Sequence, residues 1–292
     1  MGEKALIKNL LLKAIIDSIA AALALQSGDV DYCMNLDVNS CLTLESANNI
    51  VVETAPKASL TYVMFNCSIE PTSNKALRQA ISYAIDKEAI TMIVSDGYNR
   101  VADEFRYPGT IGYEPKSVSC YEYNPEKARE ILAEAGLENV EISFISDRDY
   151  VAKFAEVIQS NLRDVGITLS IEQLDASGYD EKVYGKTYHI GYWTMGSRGG
   201  DIEEMAAFVT DSPQTITYYS NPFVDKYIEE QGKELDPEKR KEINTKMLEA
   251  FKEDPPMIPL YFNTEFAAYK KGLNTPRIST FLFVRFWEFS WK

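Results

Sequence analysis

Asn221-Pro222 and Asp236-Pro237 each set a capping side chain directly before a proline, and a chain written this way is constrained to start a helix at both points. The Asn or Asp oxygen accepts from free amides of the first turn, and the proline lacks only a donor which that turn leaves unused. Phe223-Val224-Asp225-Lys226-Tyr227-Ile228 continues the first helix and Glu238-Lys239-Arg240 the second. Pro256-Met257-Ile258-Pro259-Leu260-Tyr261-Phe262 then reads as a strand.

Upstream the same two textures alternate. Ile50-Val51-Val52 and Leu60-Thr61-Tyr62-Val63-Met64-Phe65 are short, β-branched and aromatic, so they read as strands. Leu77, Ile81, Ala84 and Ile85 mark one face of a helix starting near Ser73 or Asn74, and Asp86 caps a second helix carrying Ile90, Ile93 and Val94. Residues 97–120, with Pro108, Gly109, Gly112 and Pro115, read as a long irregular loop. Asn124-Pro125-Glu126 opens a helix expected to bury Ile131, Leu132 and Ala135 and to stop at Gly136. Val140 to Ile145 alternates as a strand, Phe154, Val157, Ile158 and Leu162 stripe the next helix up to Gly166, and Ile167, Leu169 and Ile171 alternate again. Strands separated by helix-length segments predict an α/β layer architecture. The aromatic run Phe281 to Trp291 suggests a terminal hairpin that packs on something.

With 292 residues and 45% hydrophobic content, the chain can bury one large core or two modest ones. A net charge of −14 argues against a nucleic-acid partner, because phosphate affinity rests on clustered Lys and Arg. The 18 Tyr, 13 Phe and 3 Trp serve either core packing or a cleft that stacks on a variable ligand, and composition does not choose. Cys33, Cys41, Cys67 and Cys120 form no C-x-x-C pair, and His189 is the sole histidine, so no metal site is expected; four separate buried thiols are.

The N-terminus imitates a secretory signal, with Lys4 and Lys8, then Leu10 to Leu12, then Ser18 to Leu25, but Lys13 and Asp17 interrupt its apolar core. The expectation is a strand ending near Ile16, a helix over Ser18 to Gln26, a turn at Gly28-Asp29, and no signal peptide in this chain. No run approaches the roughly 20 apolar residues of a membrane span. A myristoylation motif wants Ser or Thr where Leu6 stands.

A series of stretches shares its order and spacing with one family: Ile15-Ile16-Asp17 through Ala24-Leu25-Gln26-Ser27-Gly28-Asp29-Val30-Asp31; Phe65-Asn66; Leu77-Arg78-Gln79-Ala80-Ile81-Ser82-Tyr83-Ala84-Ile85-Asp86; Tyr123-Asn124-Pro125-Glu126-Lys127-Ala128 to Ala135-Gly136; and the two proline-started helices with the strand after them. In this series the chain resembles the extracellular solute-binding proteins, family 5, that feed peptide and nickel ABC importers. The resemblance implies an α/β, type II periplasmic-binding-protein-like fold with one complete lobe, about Asn66 to Phe262, plus part of a second lobe formed by residues 1–65 and 263–292. Leu60 to Asn66 and Ile258 to Phe262 would be hinge strands that absorb the rotation closing two lobes. Full-length members carry an export signal and a large first lobe, so this chain is expected to start well inside that lobe. The family pattern also implies that Cys67 and Cys120 lie close enough to bridge.

For ligand contact the informative loop is Gly191-Tyr192-Trp193-Thr194-Met195-Gly196-Ser197-Arg198-Gly199-Gly200-Asp201. In peptide-binding members the matching loop carries an acid for the peptide ammonium, which points to Asp201; the alternative is a helix N-cap before Ile202-Glu203. Tyr192 and Trp193 are expected to line the cleft, with burial as the alternative for Trp193, Arg198 to clamp a ligand carboxylate or stay solvated, and Asn66 to contact ligand at the hinge. Arg78 suits a salt bridge, and His189 a satisfied strand position.

No carboxylate pair, no G-x-S-x-G elbow and no phosphate-cradling loop with its lysine is present, so an enzymatic role has no residue to rest on. The expected function is capture of a short peptide in an interlobe cleft for an ABC importer membrane permease, by an extracytoplasmic monomer, a lipoprotein or a periplasmic protein, without a cofactor. A peptide-binding sensor or chaperone, or a truncated remnant that binds nothing, are the alternatives.

Overall fold

The computed structural model describes residues 5–106, 118–196, 203–278 and 284–292. Along the chain run α1 (Ser18–Ser27), β1 (Tyr32–Met34), α2 (Val38–Glu45), β2 (Ile50–Phe65), α3 (Lys75–Ala84), α4 (Lys87–Ser95), β3 (Arg100–Val101), α5 (Pro125–Glu134) and β4 (Glu141–Ser146). Then follow α6 (Asp149–Asp164), β5 (Thr168–Gln173), α7 (Ala176–Tyr184), β6 (Ile190–Gly196), α8 (Pro222–Lys233), α9 (Pro237–Glu253), β7 (Met257–Lys270), β8 (Leu273–Asn274) and β9 (Ser290–Trp291). The chain divides into two compact units, residues 1–58 with 263–292 and residues 59–262, so β2 and β7 each belong in part to both.

The capping logic holds where it is strongest. Asn221 Oδ1 accepts from Phe223 N at 3.0 Å and Asp236 Oδ1 from Glu238 N at 2.9 Å, each with proline in the first turn. Asn74, Asp86 and Asn124 cap α3, α4 and α5 in the same way.

In the larger unit the sheet order is β7-β2-β6-β4-β5, with β3 on β7. β6 runs antiparallel to β2, from Ser59 opposite Gly196 to Phe65 opposite Ile190, and parallel to β4, which runs parallel to β5. Gly191 allows this close stacking: a Cβ there would stand 2.9 Å from Ile145 Cγ1 and 3.0 Å from Met64 Cε. Phe144, Ile145, Phe154, Leu162 and Ile190 are buried around the parallel strands. Phe251 of α9 gathers Phe105, Phe208 and Tyr219 at centroid distances of 6.1, 5.1 and 5.9 Å. Burying one such ring contributes about 1.5–3 kcal/mol. Arg78 crosses from α3 to the end of α9, pairing Asp254 and donating to Pro255 O at 2.9 Å and to Thr72 O and Ser73 O at 2.7 Å.

In the smaller unit Leu25, Cys33, Leu36, Leu44, Phe266 and Ala268 form the core between α1, α2 and the strands, and β1 pairs antiparallel with β7. Gly28 closes α1 at φ 91°, which an L side chain adopts only under strain.

Several expectations need correction. Residues 5–16 form no strand, because among the described residues no strand pairs with them. Ile50 to Val52 and Leu60 to Phe65 are one strand, since residues 53–57 contain no Gly, Asn or Asp to turn the chain and Pro56 keeps φ extended. In α5 it is Ala128 and Leu132 that are buried, while Ile131 is half-buried and Ala135 exposed. The loop after α4 contributes β3 and a bridge between Glu104 and Ser119; residues 107–117 lie outside the described residues. The terminal hairpin reduces to β8 against β9, with residues 279–283 outside the described part. All four cysteines are free, so Cys67 and Cys120 form no disulfide. Burial pushes the thiols of Cys41, Cys67 and Cys120 up to about 12, which leaves them protonated and inert at neutral pH.

Candidate functional site

The connection from β4 through α6 places β5 on one side of β4, and the return through α7 places β6 on the other. A parallel sheet whose connections part in this way leaves a crevice outside the carboxyl ends of the two diverging strands, where ligands bind in open α/β sheets. Here those ends are Ser146 of β4 and Gly196 of β6.

Ser146 is fully buried and ties the turn after β4, donating to Arg148 O at 3.1 Å and accepting from Arg148 N at 3.4 Å. That turn presents Asp147 and Arg148. Tyr192 of β6 donates its hydroxyl to Asp147 Oδ1 at 2.6 Å, and Asp147 Oδ2 lies 3.4 Å from Arg148 Nε. The Arg148 side chain also hydrogen-bonds Tyr192, and this bond, followed by the Asp147 charge, raises its pKa. Asp147 keeps only 10% of its side chain exposed, whereas Arg148 keeps 62%, so the acid is spent internally and the guanidinium faces outward.

Aromatic rings wall this group. Tyr150, Phe154 and Tyr179 meet Tyr192 at centroid distances of 6.4, 6.3 and 5.6 Å, and the Tyr179 hydroxyl donates to Tyr192 O. Burial raises the phenol pKa values of Tyr150, Tyr179 and Tyr192, keeping all three protonated as donors. Trp193 is half-buried, opposite Tyr62 on β2, and Thr194 Oγ1 lies 3.0 Å from Thr61 Oγ1. The set can hold a polar, partly aromatic or aliphatic ligand against rings and offer it a cation. It holds no nucleophile beside a base.

Of the expected residues, Tyr192 bonds Asp147 in this group, Trp193 follows it on β6 opposite Tyr62, and Arg198 and Asp201 lie outside the described residues. Asn66 is a correction: it is fully buried, donates to Lys186 O at 3.1 Å and Tyr188 O at 2.9 Å, and accepts from Ser68 Oγ at 2.7 Å. Its amide staples the end of β2 to the turn before β6 and has nothing left for a ligand. Arg78 is the salt-bridge residue expected. His189 Nδ1 accepts from Ser143 N at 3.1 Å with Ser143 Oγ at 3.0 Å, and the ring also bonds the Glu70 backbone, so it is a satisfied structural histidine at the opposite, amino end of β6. Asp147, Arg148 and Tyr150 were missed, although a charged pair directly between an alternating strand and a helical stripe marks a βα turn, where open sheets keep their sites.

Residues 1–243 match the sequence profile described as bacterial extracellular solute-binding proteins, family 5 Middle. The chain belongs to this family. Family 5 relatives include the glutathione-binding protein GsiB of Escherichia coli (strain K12), 26% identical over 276 residues, 89% of this chain and 53% of GsiB. This family 5 chain thus spans about half the length of the curated relatives it matches. Its fold is that of HbpA2 from Haemophilus parasuis (TM-score 0.84, 21% identity, 99% of this chain and 59% of that one). It is likewise that of DppA from Helicobacter pylori in complex with peptide STSA (TM-score 0.82, 21% identity, 96% and 56%). Among the described residues no helix is long and apolar enough to cross a membrane.

Proposed function

We infer that this chain is the solute-receiving part of an ABC importer's binding protein and that its solute is a short peptide or a peptide-like zwitterion. The observation that supports this most is the outward guanidinium of Arg148, braced by Asp147 and Tyr192 at the carboxyl end of β4, beside β6, among aromatic rings. A planar cation held in place receives a carboxylate bidentately, and rings beside it accept varied side chains. Asp201, by its place in the family pattern, takes the ammonium group, and Trp193 contributes a ring to the ligand. Residues 66–262 serve as the ligand-binding lobe. The protein works outside the cytoplasm as a monomer, and hands its solute to a membrane permease unchanged. The names of its relatives support this reading, since GsiB is a glutathione-binding protein and the Helicobacter DppA holds a peptide.

The test is a fluorescence titration of the full chain with glutathione and with mixed di- to tetrapeptides. A saturable response with a Kd no weaker than about 1 mM, roughly −4 kcal/mol, is expected. Arg148→Ala should weaken it at least about tenfold, the loss of about 1.4 kcal/mol from one charged contact. Saturable binding untouched by that change, or no response to any of these solutes, rejects the assignment.

A further inference from the structure

A row of hydroxyls crosses the sheet of the larger unit over the adjacent strands β7, β2 and β6. The Tyr261 side chain of β7 hydrogen-bonds Thr61 of β2, and Thr61 Oγ1 lies 3.0 Å from Thr194 Oγ1 of β6, the residue opposite it in the β2–β6 register. Neighbouring strands stand about 4.8 Å apart, so side chains at one register on one face hand a bond from strand to strand. The row runs from inside to outside: Tyr261 is 3% exposed and Thr61 2%, whereas Thr194 is exposed.

Its outer end opens on the face that carries Arg148. Tyr192 and Thr194 are two residues apart on β6 and so point to the same side of the sheet, with Thr194 about 7 Å nearer the carboxyl end. Tyr192 is the residue that bonds Asp147 and Arg148. Tyr150, one wall of that group, lies close to Tyr261 as well: burial raises the Tyr261 phenol pKa and Tyr150 adds to it, which keeps the phenol protonated.

Proton counting gives the row a direction. Each hydroxyl holds one proton, and the two bonds between Tyr261, Thr61 and Thr194 use two of the three. A buried phenol must spend its proton on a neighbour, and it is the most acidic of the set, so Tyr261 donates to Thr61. Thr61 then donates to Thr194, and the Thr194 proton is left to face outward. Hydroxyls bonded in series polarise one another, so the last one donates more strongly than a lone threonine.

We propose that Thr194 is a ligand-selecting donor: its hydroxyl, polarised by Tyr261 through Thr61, binds the peptide carbonyl oxygen next to the solute carboxylate that Arg148 receives. A neutral donor suits a neutral carbonyl as the guanidinium suits a carboxylate. The site thereby selects amide-linked solutes over free amino acids, whose main chain carries no second carbonyl. Thr61 and Tyr261 are positioning residues that act through Thr194. The inference rests on Arg148 as the carboxylate anchor.

The test is a tryptophan fluorescence titration of the full chain with trialanine and with its analogue whose last amide is a thioamide, the sulfur being the poorer acceptor. The natural chain should bind trialanine about three- to tenfold more tightly than the analogue, the worth of one neutral hydrogen bond. Thr194→Val should erase that preference by weakening trialanine alone, and Thr194→Ser should keep it. Thr61→Val should reduce the preference in the natural chain and change nothing further when added to Thr194→Val. Arg148→Ala should weaken both probes alike. A preference that survives Thr194→Val, equal weakening of both probes by that change, or a preference untouched by Thr61→Val overturns the proposal; if Arg148→Ala still weakens binding, the carboxylate assignment stands without it. If neither probe binds, or Arg148→Ala leaves both unchanged, the carboxylate assignment fails and this inference falls with it.

Discussion

Tyr192 donates its hydroxyl proton to Asp147 Oδ1 at 2.6 Å, tying the first half of β6 to the turn that follows the neighbouring parallel strand β4. Removing the hydroxyl leaves a mostly covered carboxylate short of a donor, and a hydrogen bond to a charged group is worth about 1.5–3 kcal/mol. Tyr192→Phe should therefore lower the unfolding free energy by about 2 kcal/mol in urea. A change within error would mean that water replaces the phenol at no cost.

His189 gives stability a pH dependence. Its pKa is lowered from 6.5, first by burial, against the raising influence of Glu172 and of its bond to the Glu70 backbone. The unfolded chain then binds a proton at a higher pH than the folded one, so stability is complete above about 6.5 and is lost as pH falls from there toward the folded value. Urea midpoints at pH 7.5 and 5.5 should drop further for the natural chain than for His189→Asn, whose amide still accepts from Ser143 N. Parallel drops would assign the pH dependence to other groups.

Gln231 of α8 is fully buried, and neither end of its side-chain amide has a partner among the described residues. An unpaired buried polar group costs about 1–3 kcal/mol. Gln231→Met keeps the shape and removes both polar atoms, so it should raise Tm by about 2–4 °C. A fall in Tm by scanning calorimetry would show that the amide is satisfied in solution.

Arg78 serves one carboxylate and three carbonyls, and no lysine can reach all four from one point charge. Arg78→Lys should cost about 3 kcal/mol of unfolding free energy, the lower end for breaking a buried pair. A loss below about 1 kcal/mol, within the range of surface ion pairs, would reduce the network to a surface contact.

Much of the molecule was legible before any coordinates. The caps at Asn74, Asp86, Asn124, Asn221 and Asp236 act within three residues of themselves, so their chemistry is complete in the local sequence. The alternation over Val140 to Ile145 and Ile167 to Ile171 likewise needs no distant partner to be read as strands. What failed was whatever depended on a neighbour. Asn66 looks like an exposed polar residue after a strand, but three carbonyl and hydroxyl partners between 2.7 and 3.1 Å absorb it.

By itself, then, the sequence determined the α/β alternation, the helix starts and the family, because these rest on contacts a few residues apart and on landmarks in a fixed order. Only the tertiary structure decided that Asp147 and Arg148 of one turn meet Tyr192 of a strand 45 positions away, and that Asn66 does not face the site. The reason is that β6 returns to the far side of β4 after β5, and a pairing between strands set by two crossover helices leaves no trace in the spacing of either strand.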